Sequence, residues 1–102
     1  MEELRKHPRM QVHFAISFAG MQTEGKGTVT DLSLGGCGVE CDRSMPKGTR
    51  LSLSISAPDE PTPIQVAIGV VQWSLGRRFG LQFLSLSDAA RARIQRLVQH
   101  PS

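Results

Sequence analysis

A chain of 102 residues, 39% apolar and 21% charged with a formal net charge of +3, has room for one hydrophobic core and not for two domains. It carries no Gly/Ser, Pro or Gln tract of the kind that keeps a chain disordered. Its longest uncharged stretch, between Pro61 and Arg77, is broken by Pro63, Gln65, Gly69, Gln72 and Ser74, which excludes a membrane-spanning helix.

Glu2 and Glu3 follow Met1 with no apolar run behind them, so no secretory signal is expected and a cytoplasmic address is predicted. Residues 1–11 are polar, contain Pro8 and have no period of either kind; they read as a flexible arm leading into a folded unit over 12–102. Val12, Phe14, Ile16 and Phe18 then alternate with polar or small residues, the pattern of a half-buried strand. After a Gly-bounded connection over 19–25, the β-branched run Thr28, Val29, Thr30 marks a second strand beginning at Gly27. The segment 31–36, Asp-Leu-Ser-Leu-Gly-Gly, is predicted to be a polar turn. Cys37, Val39 and Cys41 form the inward face of a third short strand, followed by a loop with Pro46 and Gly48.

Leu51, Leu53 and Ile55 alternate with Arg50, Ser52, Ser54 and Ser56, giving the fourth strand two sharply different faces. Three prolines in 57–63 mark a stiff surface loop, since proline cannot continue a central strand. The longest strand is predicted over 64–74, with Ile64, Val66, Ile68 and Val70 on one face and Val71 and Trp73 on the other. A turn over 75–77 leads into a sixth strand in which Phe79, Leu81 and Phe83 alternate. Ser87 as N-cap, Asp88 in the first turn, and Ala90, Ile94, Leu97 and Val98 at helical spacing predict a closing helix whose polar side carries Arg91, Arg93 and Arg96. Six short strands with no helix between them predict an all-β fold, a six-stranded antiparallel β-barrel with one C-terminal α-helix packed on it. Closure leaves no exposed strand edge to protect.

Two polar motifs carry the candidate chemistry. Arg5 and Arg9 stand four apart in the basic segment Arg5-Lys6-His7-Pro8-Arg9, and a guanidinium presents a planar fork of donors that fits a phosphate or the O6/N7 edge of guanine. Asp31 can accept from the N1 and N2 donors of guanine, Ser33 can donate or accept at short range, and Gly35 and Gly36 permit positive φ and close approach of a ligand to the backbone. Each motif also has a plainer account: an Asx turn between strands for Asp31, a solvated charge cluster for the arginines. A pI near 9.4 mildly favours an anionic partner. Cys37 and Cys41, roughly 13 Å apart on one strand face, are too distant for a disulfide and too few for zinc.

Taken together, R-x-x-x-R at Arg5 and Arg9 and D-x-S-x-x-G at Asp31, Ser33 and Gly36 resemble the PilZ domain family, whose members bind cyclic di-GMP. The likeness extends to Val71-Gln72-Trp73, to Gly80-Leu81-Gln82-Phe83 and to the closing helix. It implies that Arg5 and Arg9 clamp the phosphates and guanine faces, that Asp31 and Ser33 hold a guanine edge, and that Gly36 shapes the turn. Lys6 and Gly35 flank these positions. Trp73 is either a stacking wall for the ligand or a core residue. Many family members carry another arginine just before R-x-x-x-R, where this chain has Leu4; without that stacking platform one ligand per chain is expected in place of an intercalated pair.

The resemblance implies a cyclic di-GMP receptor, with no other cofactor, that orders its arm on binding and signals to an effector protein yet to be identified. The alternative is a PilZ-like adaptor for pilus or motility assembly that binds no nucleotide, although such members typically lack the motifs retained here. Single-stranded nucleic acid binding would want aromatics interleaved with basic residues, and four Phe and one Trp on alternating positions do not supply them. Neither a nucleophile triad, a metal-ligand cluster nor a phosphate loop points to an enzyme.

Overall fold

In the computed structural model, which describes residues 9–99, six strands and one helix follow in order. They are β1 (Met10–Ala19), β2 (Glu24–Ser33), β3 (Gly36–Cys41), β4 (Arg50–Ser56), β5 (Ile64–Leu75), β6 (Arg78–Ser85) and α1 (Asp88–Gln99). Every neighbouring pair is antiparallel, and the order β1-β2-β3-β6-β5-β4 closes on itself through β1 and β4. This is the predicted barrel with its terminal helix. Leu4, Arg5 and Lys6, with most of the expected arm over 1–11, lie outside the described residues; Met10 and Gln11, assigned to that arm from sequence, are already paired with Leu32 and Asp31.

The strands form where alternation lets one face be dry. Ile16, Phe18, Val39, Leu51, Leu53, Ile55, Ile64, Val66, Phe79 and Leu81 point into the barrel with at most 3% of their surface exposed. Phe18 and Phe79 meet edge to face with ring centroids 5.8 Å apart, the geometry that aligns a ring's positive edge with its neighbour's negative face. Met45, from the β3–β4 loop, is buried with this cluster, as are Ala90 and Ile94 of α1. The helix begins as expected: Ser87 Oγ accepts from Ala90 N at 3.0 Å, satisfying one of the amides a helix N-terminus leaves free.

Strict alternation fails where the register shifts, and three of these bulges decide which side chains face outward. Opposite β3, Val29 pairs with Val39 and Asp31 with Gly38, so Thr30 is an extra residue in β2. A bulge shifts the phase by one, which is why Val29 and Leu32, three apart, are both fully buried while Asp31 is not. In β5, Leu51 pairs with Gly69 and Leu53 with Val66. The expected face of Ile64, Val66, Ile68 and Val70 therefore breaks: Ile64 and Val66 are buried, then Gly69 and Val71 take the inward positions while Ile68 and Val70 are only partly covered. The third bulge, between Val71 and Trp73 opposite Leu81 and Gly80, delivers Trp73 to the outer surface, 43% exposed. Trp73 is thus not a core residue.

The Pro-rich loop before β5 is fastened by Arg93. Its Nε donates to Glu60 Oε1 at 2.7 Å and its Nη atoms to the carbonyls of Pro63 and Thr62. Arg93, placed by its periodicity on a solvated polar side of α1, is instead a tie between helix and loop, with only 20% of its side chain exposed.

Candidate ligand-binding site

The expected turn over 31–36 is narrower than predicted. Asp31 and Ser33 belong to β2 and Gly36 to β3, and only Leu34 and Gly35 form the turn. Neither Gly35 nor Gly36 uses positive φ; among the described residues that conformation belongs to Gly48 and Gly76. The turn is held by side-chain chemistry instead. Ser33 Oγ donates to Gly36 O and accepts from Gly35 N, each at 3.3 Å, and the Gly35 carbonyl accepts from Phe83 N on β6 at 2.9 Å. A hydroxyl has one proton and two lone pairs, so Ser33, 5% exposed, keeps a single lone pair for anything else. Gly36 is required for a steric reason, because a Cβ there would drive into the Leu81 carbonyl on β6.

Asp31 lies outward beside Gly38, its partner on β3, where an added Cβ would stand 2.6 Å from Asp31 Oδ2. The row continues across the sheet through Gly80 on β6 to Trp73 on β5. A Cβ on Gly80 would collide with the indole, so Trp73 lies over a glycine as Asp31 does. The two glycines sit side by side on adjacent strands, both buried, Gly38 under the Asp31 carboxylate and Gly80 under the indole. Arg9 closes the Asp31 side: its Nη1 donates to Asp31 Oδ1, with 29% and 20% of the two side chains exposed.

A cleft of about 190 Å³ opens beside the indole, lined by Arg9, Ser33, Gly35, Gly36, Gln72, Trp73, Gly80, Leu81 and Gln82. A larger surface depression of about 420 Å³ lies elsewhere, around Ser17, Lys26, Ser52 and Gln65, and contains none of the motif residues. Burial pushes the Cys37 thiol up to about 12, and the nearby Asp31 carboxylate adds to the rise while Arg9 opposes it. Cys37 therefore stays a neutral thiol beneath the cleft. Both cysteines are free.

Of the residues singled out from sequence, Arg9, Ser33, Gly35, Gly36 and Trp73 line one cleft and Asp31 is ion-paired at its rim. Leu4, Arg5 and Lys6 fall outside the described residues. Gly38, Gly80, Gln72 and Gln82 were not anticipated as site residues. Their signal was faint: two glycines inside strand patterns, where glycine often marks a close approach, and two glutamines on the polar phase of β5 and β6.

An Arg–Asp pair and an exposed indole, each seated over a glycine, thus lie on the outer face of a closed six-stranded barrel. Residues 3–100 match the family model described as PilZ domain, and the chain belongs to that family. Solved structures agree in fold. The PilZ domain of YcgR from Escherichia coli, determined with c-di-GMP, aligns with a TM-score of 0.76 at 15% identity over 95% of this chain and 90% of that one. The Bacillus subtilis inhibitor of motility MotI/DgrA aligns with a TM-score of 0.78 at 18% identity over 96% of this chain, which spans only 51% of that protein. The PilZ domain of CeSA from a cellulose-synthesizing bacterium gives 0.70 at 17% identity, over 90% and 95% of the two chains. No curated protein matches the chain by sequence. Among the described residues, no helix is long and apolar enough to cross a membrane.

Proposed function

We propose that this chain is a cyclic di-GMP receptor that takes its ligand in the cleft between the Arg9–Asp31 pair and Trp73, and that ligand binding docks the segment ahead of β1 and so alters the surface offered to a partner protein. The observation that carries this reading is that Arg9, Ser33, Gly36 and Trp73 line one cleft with Asp31 ion-paired to Arg9, in a family with a member solved in complex with that compound. Asp31 occupies one arm of the Arg9 fork, leaving further N–H donors for a phosphate. Arg5 is four residues upstream. Four extended residues span at most about 14 Å, comparable to the roughly 14 Å of three strand spacings between β2 and β5, so the chain between Arg5 and Arg9 is long enough for both to serve one ligand. With Leu4 in place of a further arginine, one ligand per chain is expected.

Isothermal titration tests the reading. The unsubstituted chain should bind cyclic di-GMP and ignore GTP, and Arg9→Ala should lose about 100-fold in affinity, the upper end of a lost bidentate contact, with its thermal melt nearly unmoved. Absence of heat from the unsubstituted chain at near-millimolar ligand, or unchanged affinity in Arg9→Ala, would overturn it.

A further inference from the structure

The β5–β6 side of the cleft carries two amides that belong to neither motif. Gln72 and Gln82 are exposed, both line the cleft, and Gln72 Nε2 donates to Gln82 Oε1 at 2.6 Å. Gln82 pairs across the sheet with Gly36, which has no side chain to screen it, and both line the cleft. The hydrogen bond also gives the pair a direction. With its oxygen engaged, Gln82 keeps two Nε2–H donors that no other described residue takes up, while Gln72 keeps a free oxygen.

We propose that the Gln72–Gln82 pair selects the base, Gln82 offering its Nε2 donors to the O6/N7 acceptor edge of guanine. This rests on the cyclic di-GMP reading and deepens it by naming groups that would distinguish guanine from adenine. Guanine presents two acceptors on that edge, whereas adenine places an amino donor where guanine has O6. Against Gln82 Nε2 an adenine would set donor against donor, and both would lose the water they gave up on binding. Asp31, on β2, stands two strand spacings from β6, about 10 Å along the sheet. It is thereby available to the N1/N2 donors, on the edge that adjoins O6/N7 in the same purine. A carboxylate on one side and amide donors on the other match guanine's two edges and no other common base. Gln72 is a positioning residue: it fixes which way the Gln82 amide faces.

The test compares Gln82→Glu, Gln82→Ala and Gln72→Ala with the unsubstituted full chain, titrating cyclic di-GMP and cyclic di-AMP by calorimetry and direct competition, with thermal melts as a control of folding. Glutamate at 82 can still accept from Gln72 Nε2 but has no donor for O6. Gln82→Ala should lose about tenfold in affinity for cyclic di-GMP. Gln82→Glu should shift the cyclic di-GMP to cyclic di-AMP affinity ratio by at least as much; its extra charge repels both ligands' phosphates alike, so the ratio isolates the base. Gln72→Ala should lower the same ratio by a smaller factor. If the unsubstituted chain binds cyclic di-GMP and the ratio is unchanged in Gln82→Glu and Gln82→Ala, this inference is overturned and the receptor reading stands. If the unsubstituted chain gives no heat with cyclic di-GMP, both are overturned.

Discussion

Replacing Gly80 by Ala and Gly36 by Ala makes the same chemical change on adjacent strands, yet the two should behave differently. At Gly80 the new Cβ meets the Trp73 indole, a side chain already 43% exposed and free to swing outward. At Gly36 it meets the Leu81 carbonyl, a backbone group that can retreat only if β3 and β6 part. Displacing Trp73 gives up at most about half of an indole's contact area, roughly 120 Å², worth about 3 kcal/mol at about 25 cal/mol per Å². Partial reseating of the ring recovers some of this, and alanine is favoured over glycine in a strand by about 0.5–1 kcal/mol. The net cost for Gly80→Ala is about 1–2 kcal/mol, a fall in Tm of roughly 5–15 °C for a domain of this size. Gly36→Ala breaks ladder hydrogen bonds worth about 1 kcal/mol each and opens the packing of the buried Cys37 and Leu81, for a total of about 3–5 kcal/mol. Trp73 is the chain's one tryptophan, so its fluorescence isolates the site: Gly80→Ala should shift emission to the red and weaken cyclic di-GMP binding while far-UV circular dichroism stays native. An unshifted emission spectrum in Gly80→Ala, or equal destabilisation by the two substitutions, would refute the idea that Gly80 is there to seat the indole.

Arg93→Ala should cost about 2–3 kcal/mol, since it removes three hydrogen bonds and leaves Glu60, 14% exposed, without its cation; a melt shifted by less than about 2 °C would show that the Pro-rich loop holds itself. Cys37, pushed up to about 12 by burial, should resist alkylation at pH 8 in the folded protein while partly exposed Cys41 reacts, which peptide mass mapping reads directly. Because the folded thiol keeps its proton above the ordinary value of 9.0 while the unfolded one loses it, this group's contribution is intact below pH 9 and is lost as pH rises toward 12; denaturant titrations of Cys37→Ala should show a flatter decline over that window. Leu4→Arg should raise the calorimetric stoichiometry from one cyclic di-GMP per chain toward two, and a value fixed at one would remove Leu4 as the determinant.

The barrel was legible because five of the six strands have at least three alternating apolar residues and β2 a β-branched run, and the helix because Ser87 and the 90/94/97/98 stripe agree. What alternation hid were the bulges. Val29 and Asp31 have the same parity, so a strand continued through Asp31 would have buried its carboxylate, and ending the strand at Thr30 was the only escape that pattern offered. The structure resolves the conflict with one extra residue, Thr30, which no propensity marks. Ile68 and Val70 were misplaced for the same reason. Arg93 could not be distinguished from Arg91 or Arg96 by period alone, since its partners lie in a loop some thirty residues away. At the site, the motif residues were visible as chemistry, but Gly38 and Gly80 acquire meaning only when β2, β3, β6 and β5 are set side by side.

That side-by-side arrangement bears on selectivity as well as shape. Arg9 and Asp31 satisfy each other, so an anion that draws off the guanidinium leaves a carboxylate facing the newcomer's own negative charge. Inorganic phosphate has nothing to give Asp31 in return at neutral pH beyond a weak protonated oxygen, and a like-charge contact at the rim of a partly dry cleft opposes it. A guanine nucleotide brings both halves of the exchange, phosphates for Arg9 and N1/N2 donors for Asp31, and ends with every group paired. On the receptor reading the ion pair therefore acts as a filter: it weakens binding of all anions by the strength of the pair and returns that strength only to ligands carrying a donor edge. Asp31→Ala should accordingly bring inorganic phosphate and cyclic di-GMP closer together in affinity, and a ratio unchanged by that substitution would show that Arg9 binds phosphates without regard to its carboxylate partner.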